Sequence, residues 1–225
     1  MQTALIIPRR VLTVDRSQTG EVANTFTHGL GIFLNLAGLA YLLYAAPGRL
    51  SPAILFASLL FAILLVILYS VSTLSHGIQQ VDWKSTWRAW DQGVIYLVIA
   101  GSYTPLAVGF VGATWLPFYL LALWGLALLG FSLKVFARHQ VETVALSFYL
   151  FLGLGAALPL IAFIPYAPLV CLAASCASYL VGTIFLALDG KYPIFHAVWH
   201  IFVLLGTSLS FLCIVRYLVL AESVP

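Results

Sequence analysis

The sequence predicts an all-α integral membrane protein, a bundle of seven transmembrane helices with a cytoplasmic N-terminus and an external C-terminus. Of its 225 residues, 63% are hydrophobic and only 8% are charged, whereas a soluble domain carries about 25% charged residues. The hydrophobic residues also form stretches of about 20, the length of a helix that crosses a membrane. The chain has too little polar surface for a soluble globule.

Seven stretches satisfy this length criterion. They run over Asn24–Ala45, Ser51–Ser75, Trp90–Phe110, Trp115–Phe136, two halves of Val144–Leu188, and Pro193–Leu220. They define a transmembrane domain over residues 23–221, with short tails over 1–22 and 222–225. This arrangement leaves no room for a separate soluble domain.

Turn-forming and polar residues separate the first four helices. Pro47 and Gly48 end the first helix, and a polar loop over residues 79–84 separates the second from the third. Gly112 and Thr114 form a short turn before the fourth helix. Such residues break helices for stereochemical reasons, so each boundary has a physical cause.

The later boundaries follow the same logic. A polar segment, residues 138–140, ends the fourth helix. The region Val144–Leu188 is too long for one crossing and is divided near Pro165, because proline interrupts the helical hydrogen bonds. Asp189, Gly190 and Lys191 close the sixth helix before the seventh begins.

Basic residues orient the bundle. Lys and Arg accumulate on the cytoplasmic side of membrane proteins, and eight of the ten lie on the N-terminal side of this arrangement. These are Arg9, Arg10, Arg16, Lys84, Arg88, Lys134, Arg138 and Lys191, against Arg49 and Arg216 on the other side. The N-terminus is therefore predicted to be cytoplasmic, which is the inverse of a G-protein-coupled receptor. No basic tract is present, so no nucleic-acid partner is expected.

The five histidines all fall at the predicted cytoplasmic ends of helices. His196 and His200 are four residues apart, so both rings project from one face of the seventh helix. His76 ends the second helix on the same side, and Asp91 begins the third. An isolated pair at this spacing also fits interfacial histidines that bond to backbone or water. Three histidines and a carboxylate from three helices instead indicate a metal site with an open position.

The roles of the remaining polar residues leave alternatives open. Asp91 either binds the metal or accepts a hydrogen bond from metal-bound water, and the second role is favoured because three imidazoles suffice. Ser72 lies on the face of His76. Asn24 and His28 share a face of the first helix, where Asn24 or Thr25 caps the helix or this group supports the metal ligands by hydrogen bonds. His139, beside Arg138 and Glu142, is expected to be solvated.

These residues form a pattern that resembles the hemolysin III family, the bacterial branch of the progestin and adipoQ receptor family. The matching motifs are Glu21-x-x-Asn24-x-x-Thr27-His28, Ser72-Thr73-Leu74-Ser75-His76, Asp91 followed by Ile99-Ala100-Gly101-Ser102-Tyr103-Thr104-Pro105, and His196-Ala197-Val198-Trp199-His200. The resemblance covers nearly the whole chain beyond the N-terminal tail.

The resemblance implies seven helices, a cytoplasmic N-terminus, and Zn²⁺ held near the cytoplasmic face by His76, His196 and His200. It implies that Asp91 is the nearby carboxylate, that Ser72 is a polar neighbour, and that Glu21, Asn24 and His28 are candidates to support the ligands. One departure is Gln92, which follows Asp91 where many bacterial members carry His. The implied location is the bacterial inner (cytoplasmic) membrane.

Three classes of function follow. The first is a zinc-dependent intramembrane hydrolase of a lipid amide or ester, with Asp91 and Ser72 as catalytic residues and a membrane lipid as substrate. The second is a non-enzymatic sensor or regulator of membrane properties or energetics, which binds a lipid and uses zinc structurally. The third, a transporter or pore, ranks lowest because no ionisable residue lies near the midplane of any span, where conduction usually needs one.

Overall fold

The computed structural model describes residues 18–78, 80–137, 145–192 and 194–221. Within those ranges the chain forms helices and contains no β-strand. The helices are α1 (Gln18–Ala45), α2 (Pro52–Gly77), α3 (Val81–Phe110), α4 (Leu116–Val135), α5 (Ala145–Leu160), α6 (Tyr166–Leu188) and α7 (Ile194–Ile214). The last helix continues into a π-helical turn, Val215–Val219. The predicted all-α bundle is confirmed.

Six of these helices are long and apolar enough to cross a membrane, and α5 is a shorter apolar helix. Large apolar side chains such as Phe33, Tyr44, Phe118 and Leu121 are exposed on the outside of the bundle. Such a surface is stable only against lipid, because water would leave these side chains unfavourably hydrated. The protein is therefore an integral multi-pass membrane protein.

The observed helix boundaries match the predicted division near Pro165 and differ from the predicted ones at the starts of α1 and α3. The division near Pro165 is confirmed, since α6 begins at Tyr166 directly after this proline. Helix α3 begins at Val81, nine residues before the predicted Trp90, so most of the predicted loop is helical. The reason is that Lys84 and Arg88, one turn apart, both reach a carboxylate on α1 and keep the polar segment helical.

Helix α1 also begins earlier than predicted, at Gln18 rather than Asn24. Residues 18–22 of the predicted tail therefore belong to a helix, and neither Asn24 nor Thr25 caps it. Thr25 instead donates a hydrogen bond from its hydroxyl group to the carbonyl oxygen of Glu21, one turn earlier in the helix. Residues 1–17, 222–225 and the predicted solvated histidine, His139, lie outside the described residues.

The packing order brings the ends of distant helices together. Helix α1 packs against α2 and α7, α3 packs against α2, α4 and α5, and α7 packs closely against α6. Because consecutive helices run in opposite directions, the N-terminal parts of α1, α3 and α7 lie beside the C-terminal part of α2. All the sequence-predicted site residues belong to these four helix ends.

Small residues allow the close approach of α6 and α7. Ser175 and Ser178 on α6 donate hydrogen bonds of 2.8 Å to the backbone carbonyls of Gly206 and Phe202 on α7. A side chain at Gly206 would collide with the ring of Tyr179, 2.6 Å away. Contacts between small residues and backbone replace the hydrophobic driving force that is weak between helices in lipid. This packing fixes α7, which carries two of the candidate metal ligands.

Candidate metal centre

Three imidazole side chains, one from α2 and two from α7, form the candidate metal centre. One ring nitrogen from each of His76, His196 and His200 lies within 4.8 Å of the others. The ring centroids are 5.1 Å apart for His76 and His196, 5.0 Å for His76 and His200, and 4.6 Å for His196 and His200. Tetrahedral coordination at about 2.0–2.1 Å places two ligand nitrogens about 3.4 Å apart. The cluster can therefore enclose one metal ion after small side-chain rotations.

A buried carboxylate orients the first of these rings. Nδ1 of His76 donates a hydrogen bond of 2.7 Å to Oε2 of Glu21, and Nε2 of His76 is buried without a hydrogen-bond partner in the described part of the chain. A hydrogen bond to one imidazole nitrogen fixes the tautomer and leaves the other nitrogen to bind a metal. Glu21 therefore acts on His76 as expected for a residue that supports a metal ligand.

Basic residues from α3 compensate the negative charge of Glu21. Oε1 of this carboxylate lies 2.9 Å from Nζ of Lys84 and 3.4 Å from an Arg88 nitrogen. Only 7% of the Glu21 side chain is exposed, so the charge would be costly without these partners. The side chain of buried Asn24 lies beside the same ring, with its amide nitrogen 3.5 Å from Nδ1 of His76.

The two rings on α7 have partners of the same kind. Nδ1 of His196 lies 2.6 Å from Oδ2 of Asp189, just beyond α6, and Nδ1 of His200 lies 3.3 Å from the hydroxyl oxygen of Thr27. The Thr27 hydroxyl donates to backbone carbonyls of its own helix, so it accepts from His200. All three imidazoles thus engage Nδ1, an arrangement in which Nε2 would be the nitrogen that binds a metal ion.

Asp91 lies next to the cluster and not within it. Its carboxylate is not among the groups that share the close spacing of the three histidines. Ser75 donates a hydrogen bond of 3.0 Å to Oδ2 of Asp91, and Ser72 lies beside the same carboxylate. This arrangement favours the second predicted role of Asp91, that of an acceptor near the metal and not of a ligand to it.

A cavity of about 230 Å³ connects the centre to the interior of the bundle. Its polar end is lined by Asp91, Ser72, His196, His200 and His28, and the rest is lined mainly by apolar side chains from α3, α5, α6 and α7. A polar end and an apolar body match an amphiphilic molecule better than a water-soluble one. Gln92 also lines this cavity, and its side chain accepts a hydrogen bond of 3.1 Å from Lys134.

His28 differs in its contacts from Glu21 and Asn24, the other residues predicted to support the metal ligands. It is buried against His200, with ring centroids 3.7 Å apart, and neither ring nitrogen has a hydrogen-bond partner among the residues that the structure describes. It therefore makes no hydrogen bond to a metal ligand there.

The sequence did not single out Asp189 or assign a role to Thr27. The only available signal for Asp189 was its place seven residues before His196.

Comparisons with known proteins show which proteins this chain resembles. A family model described as "Haemolysin-III related" matches residues 16–211. A hemolysin-3 homolog from Bacillus subtilis is 36% identical over 203 residues, which cover 88% of this chain and 94% of the relative. Hemolysin-3 from Bacillus cereus is 32% identical over 204 residues, with 88% and 91% covered. The human monocyte to macrophage differentiation factor is 30% identical over 210 residues, with 88% and 84% covered. No solved structure gave a significant match.

Proposed function

This chain belongs to the haemolysin-III-related family, and we propose that it is a zinc-dependent hydrolase that cleaves an amide or ester bond of a lipid within the membrane. The observation that carries the proposal is the cluster of His76, His196 and His200, two of which, His196 and His200, line a mainly apolar cavity. Three protein ligands leave one coordination position open, which is typical of catalytic rather than structural zinc.

The donor set fits zinc chemically. Imidazole nitrogens suit zinc among the transition metals, and Glu21, Asp189 and Thr27 engage the opposite ring nitrogens. When bound, zinc activates water as a nucleophile near neutral pH and polarises the carbonyl group under attack.

The other polar residues would carry the proton and the developing charge. Asp91, oriented by Ser75 at 3.0 Å, accepts a proton from the attacking water and passes it to the leaving group. Ser72 lines the same cavity and donates a hydrogen bond to the carbonyl oxygen, where negative charge develops. Both groups line the cavity that His196 and His200 also line, which is the placement that proton transfer and stabilisation of the developing charge require.

The proposal also places the protein in the cytoplasmic membrane of a bacterium, with the metal centre at the cytoplasmic boundary. The excess of Lys and Arg on that side supports this orientation, and two of the relatives come from Bacillus.

The test is lipid turnover by purified protein, using membrane lipids with amide-linked and ester-linked acyl chains. We expect turnover to stop when zinc is chelated and to return when zinc is restored. His200→Ala removes a ligand and should abolish turnover, while His139→Ala, the control, changes a histidine that the sequence places in a solvated loop. Equal turnover with and without zinc would refute the hydrolase.

A second function, a sensor or regulator with structural zinc, is favoured by one observation. The three ligands and their hydrogen-bond partners tie α1, α2, α7 and the end of α6 together, so zinc would clamp the bundle. Asp91→Asn separates the two functions, because it keeps the histidines and removes the proton acceptor. Zinc bound with lipid turnover lost supports the hydrolase, whereas cellular function retained by this variant supports the sensor.

A further inference from the structure

His28 is a buried polar side chain that the proposed chemistry does not use. It is 4% exposed, and both ring nitrogens lack a hydrogen-bond partner in the part of the chain that the structure describes. Polar groups without partners are costly in a nonpolar interior, and ionisable side chains at membrane depth usually serve a function. His28 also forms part of the cavity wall beside the metal centre.

Neither metal binding nor a hydrogen bond to a metal ligand explains why the polar side chain of His28 is buried at this position. His28 lies outside the close cluster of three histidines. The Nδ1 atoms of those histidines already engage Glu21, Asp189 and Thr27. What remains for the nitrogens of His28 is a molecule in the cavity.

The ring is held in place by its neighbours. Its centroid lies 3.7 Å from that of His200 and 5.2 Å from that of Tyr69, at interplanar angles of 60° and 61°. The Tyr69 hydroxyl is engaged with Thr207 at 2.7 Å, and Thr207 donates to a backbone carbonyl. Tyr69 therefore packs against His28 without giving it a hydrogen bond, and a ring fixed in this way is ready to bind a ligand.

His28 and Asp91 reach the cavity from different sides. His28 lies on α1, which packs on α2 and α7, whereas Asp91 lies on α3, which packs mainly on α2, α4 and α5. An ionised carboxylate only accepts hydrogen bonds, while a neutral imidazole donates through one nitrogen and accepts through the other. The α1 side of the cavity thus offers the complementary hydrogen-bonding group.

We propose that His28 is a ligand-binding residue, which hydrogen-bonds an uncharged polar group, such as an amide or hydroxyl group, adjacent to the ligand atom held at the metal centre. This inference rests on the proposed function, because it assumes that an amphiphile binds with its polar end at the metal. It adds a contact that selects among such amphiphiles.

Two amphiphilic probes with the same chain length test the proposal. Dodecanoyl hydroxamic acid binds zinc and has further hydrogen-bonding atoms, whereas dodecanethiol binds zinc through sulfur and forms only weak hydrogen bonds. Calorimetric titration of zinc-loaded protein in detergent gives both affinities. We expect His28→Phe to weaken hydroxamate binding about tenfold, the effect of one lost hydrogen bond, and to leave thiol binding unchanged. His28→Asn, which keeps a donor and an acceptor, should recover part of the lost affinity.

Zinc content, measured on each variant, distinguishes failure of the role proposed for His28 from failure of the proposed zinc-dependent function. Unchanged hydroxamate affinity in zinc-loaded His28→Phe would overturn the role of His28 alone. Equal weakening of both probes, or loss of zinc from His28→Phe, would show that His28 only packs against His200 and would also overturn it. A wild-type protein that retains no zinc would overturn the proposed function together with the role of His28.

Discussion

At the scale of single residues, the contact between Glu21 and His76 decides how firmly a metal can be held. The hydrogen bond of 2.7 Å fixes the ring and its tautomer. We expect Glu21→Ala to weaken zinc affinity about 10–100-fold, the usual effect of removing a residue that orients a metal ligand. Glu21→Gln should lie between wild type and Glu21→Ala, because its side-chain oxygen still accepts the hydrogen bond without the negative charge. Competition with a chromogenic chelator measures both affinities.

A matched control removes a carboxylate elsewhere. Glu222→Gln changes the acidic residue that the sequence places on the opposite side of the membrane, and its zinc affinity should equal that of the wild type. If Glu21→Ala binds zinc as tightly as this control, the carboxylate serves only to pair with Lys84 and Arg88, and His76 is oriented by packing.

The cluster of three histidines could be predicted from sequence because helical geometry links its members. The spacing of His196 and His200 places both on one face, and the count of crossings brings His76 to the same side. The supporting residues follow no such period, since Thr27 and Asp189 contact residues 173 and 7 positions away. Hydrogen-bond acceptors are frequent in any sequence, so only the three-dimensional packing distinguishes these two from the rest.

At the scale of helices, the contact between α6 and α7 depends on Gly182. A Cβ atom there would lie 2.7 Å from Cβ of Phe202 and 2.8 Å from the ring of Trp199. Cβ of Phe202 is fixed to the backbone, and Trp199 directly precedes His200, a candidate metal ligand, so neither can move freely. We expect Gly182→Ala to destabilise the protein by about 1–3 kcal/mol through overpacking and to weaken zinc binding. Thermal unfolding in detergent measures the first effect.

Gly125→Ala is the control for helix propensity. Gly125 lies on the exposed face of α4, where an added Cβ atom would have no neighbour within 4 Å, and alanine stabilises an exposed helix interior by up to about 1 kcal/mol relative to glycine. This variant should be as stable as the wild type or more stable. Equal melting temperatures for Gly182→Ala and Gly125→Ala would contradict close packing at the interface of α6 and α7.

The sequence predicted which segments are helical better than it predicted where each helix starts. Helix α3 illustrates the reason. Hydrophobicity identifies where lipid surrounds a helix, and by that measure α3 starts at Trp90. The polar turns over Val81–Ala89 are helical because Lys84 and Arg88 bond to Glu21 on another helix. Such a contact depends on tertiary structure, so an apolar window cannot detect it. The division at Pro165 was predictable because proline acts locally.

At the scale of the whole molecule, polar chemistry is concentrated at one end of the bundle. Polar side chains gather where the N-terminal parts of α1, α3 and α7 meet the C-terminal part of α2: the three histidines, Asp91, Glu21 and its basic partners. Of the Lys and Arg residues that the structure describes, Lys84, Arg88, Lys134 and Lys191 lie towards this end, against Arg49 and Arg216 at the other. Under the proposed orientation this end of the bundle faces the cytoplasm, and a metal ion would enter from that side.

The same charge distribution predicts opposite locations for the two ends of the chain. Green fluorescent protein folds to its fluorescent form in the bacterial cytoplasm, and alkaline phosphatase is active only outside it. A C-terminal phosphatase fusion should therefore be active and a C-terminal fluorescent fusion dark, because an odd number of crossings separates the termini. Fusions after Lys191, between α6 and α7, should show the reverse and serve as the control. A fluorescent C-terminus with an active phosphatase after Lys191 would show that the protein has the opposite orientation. The candidate metal centre would then lie on the outer side of the membrane, and zinc from the cytoplasm could not supply it.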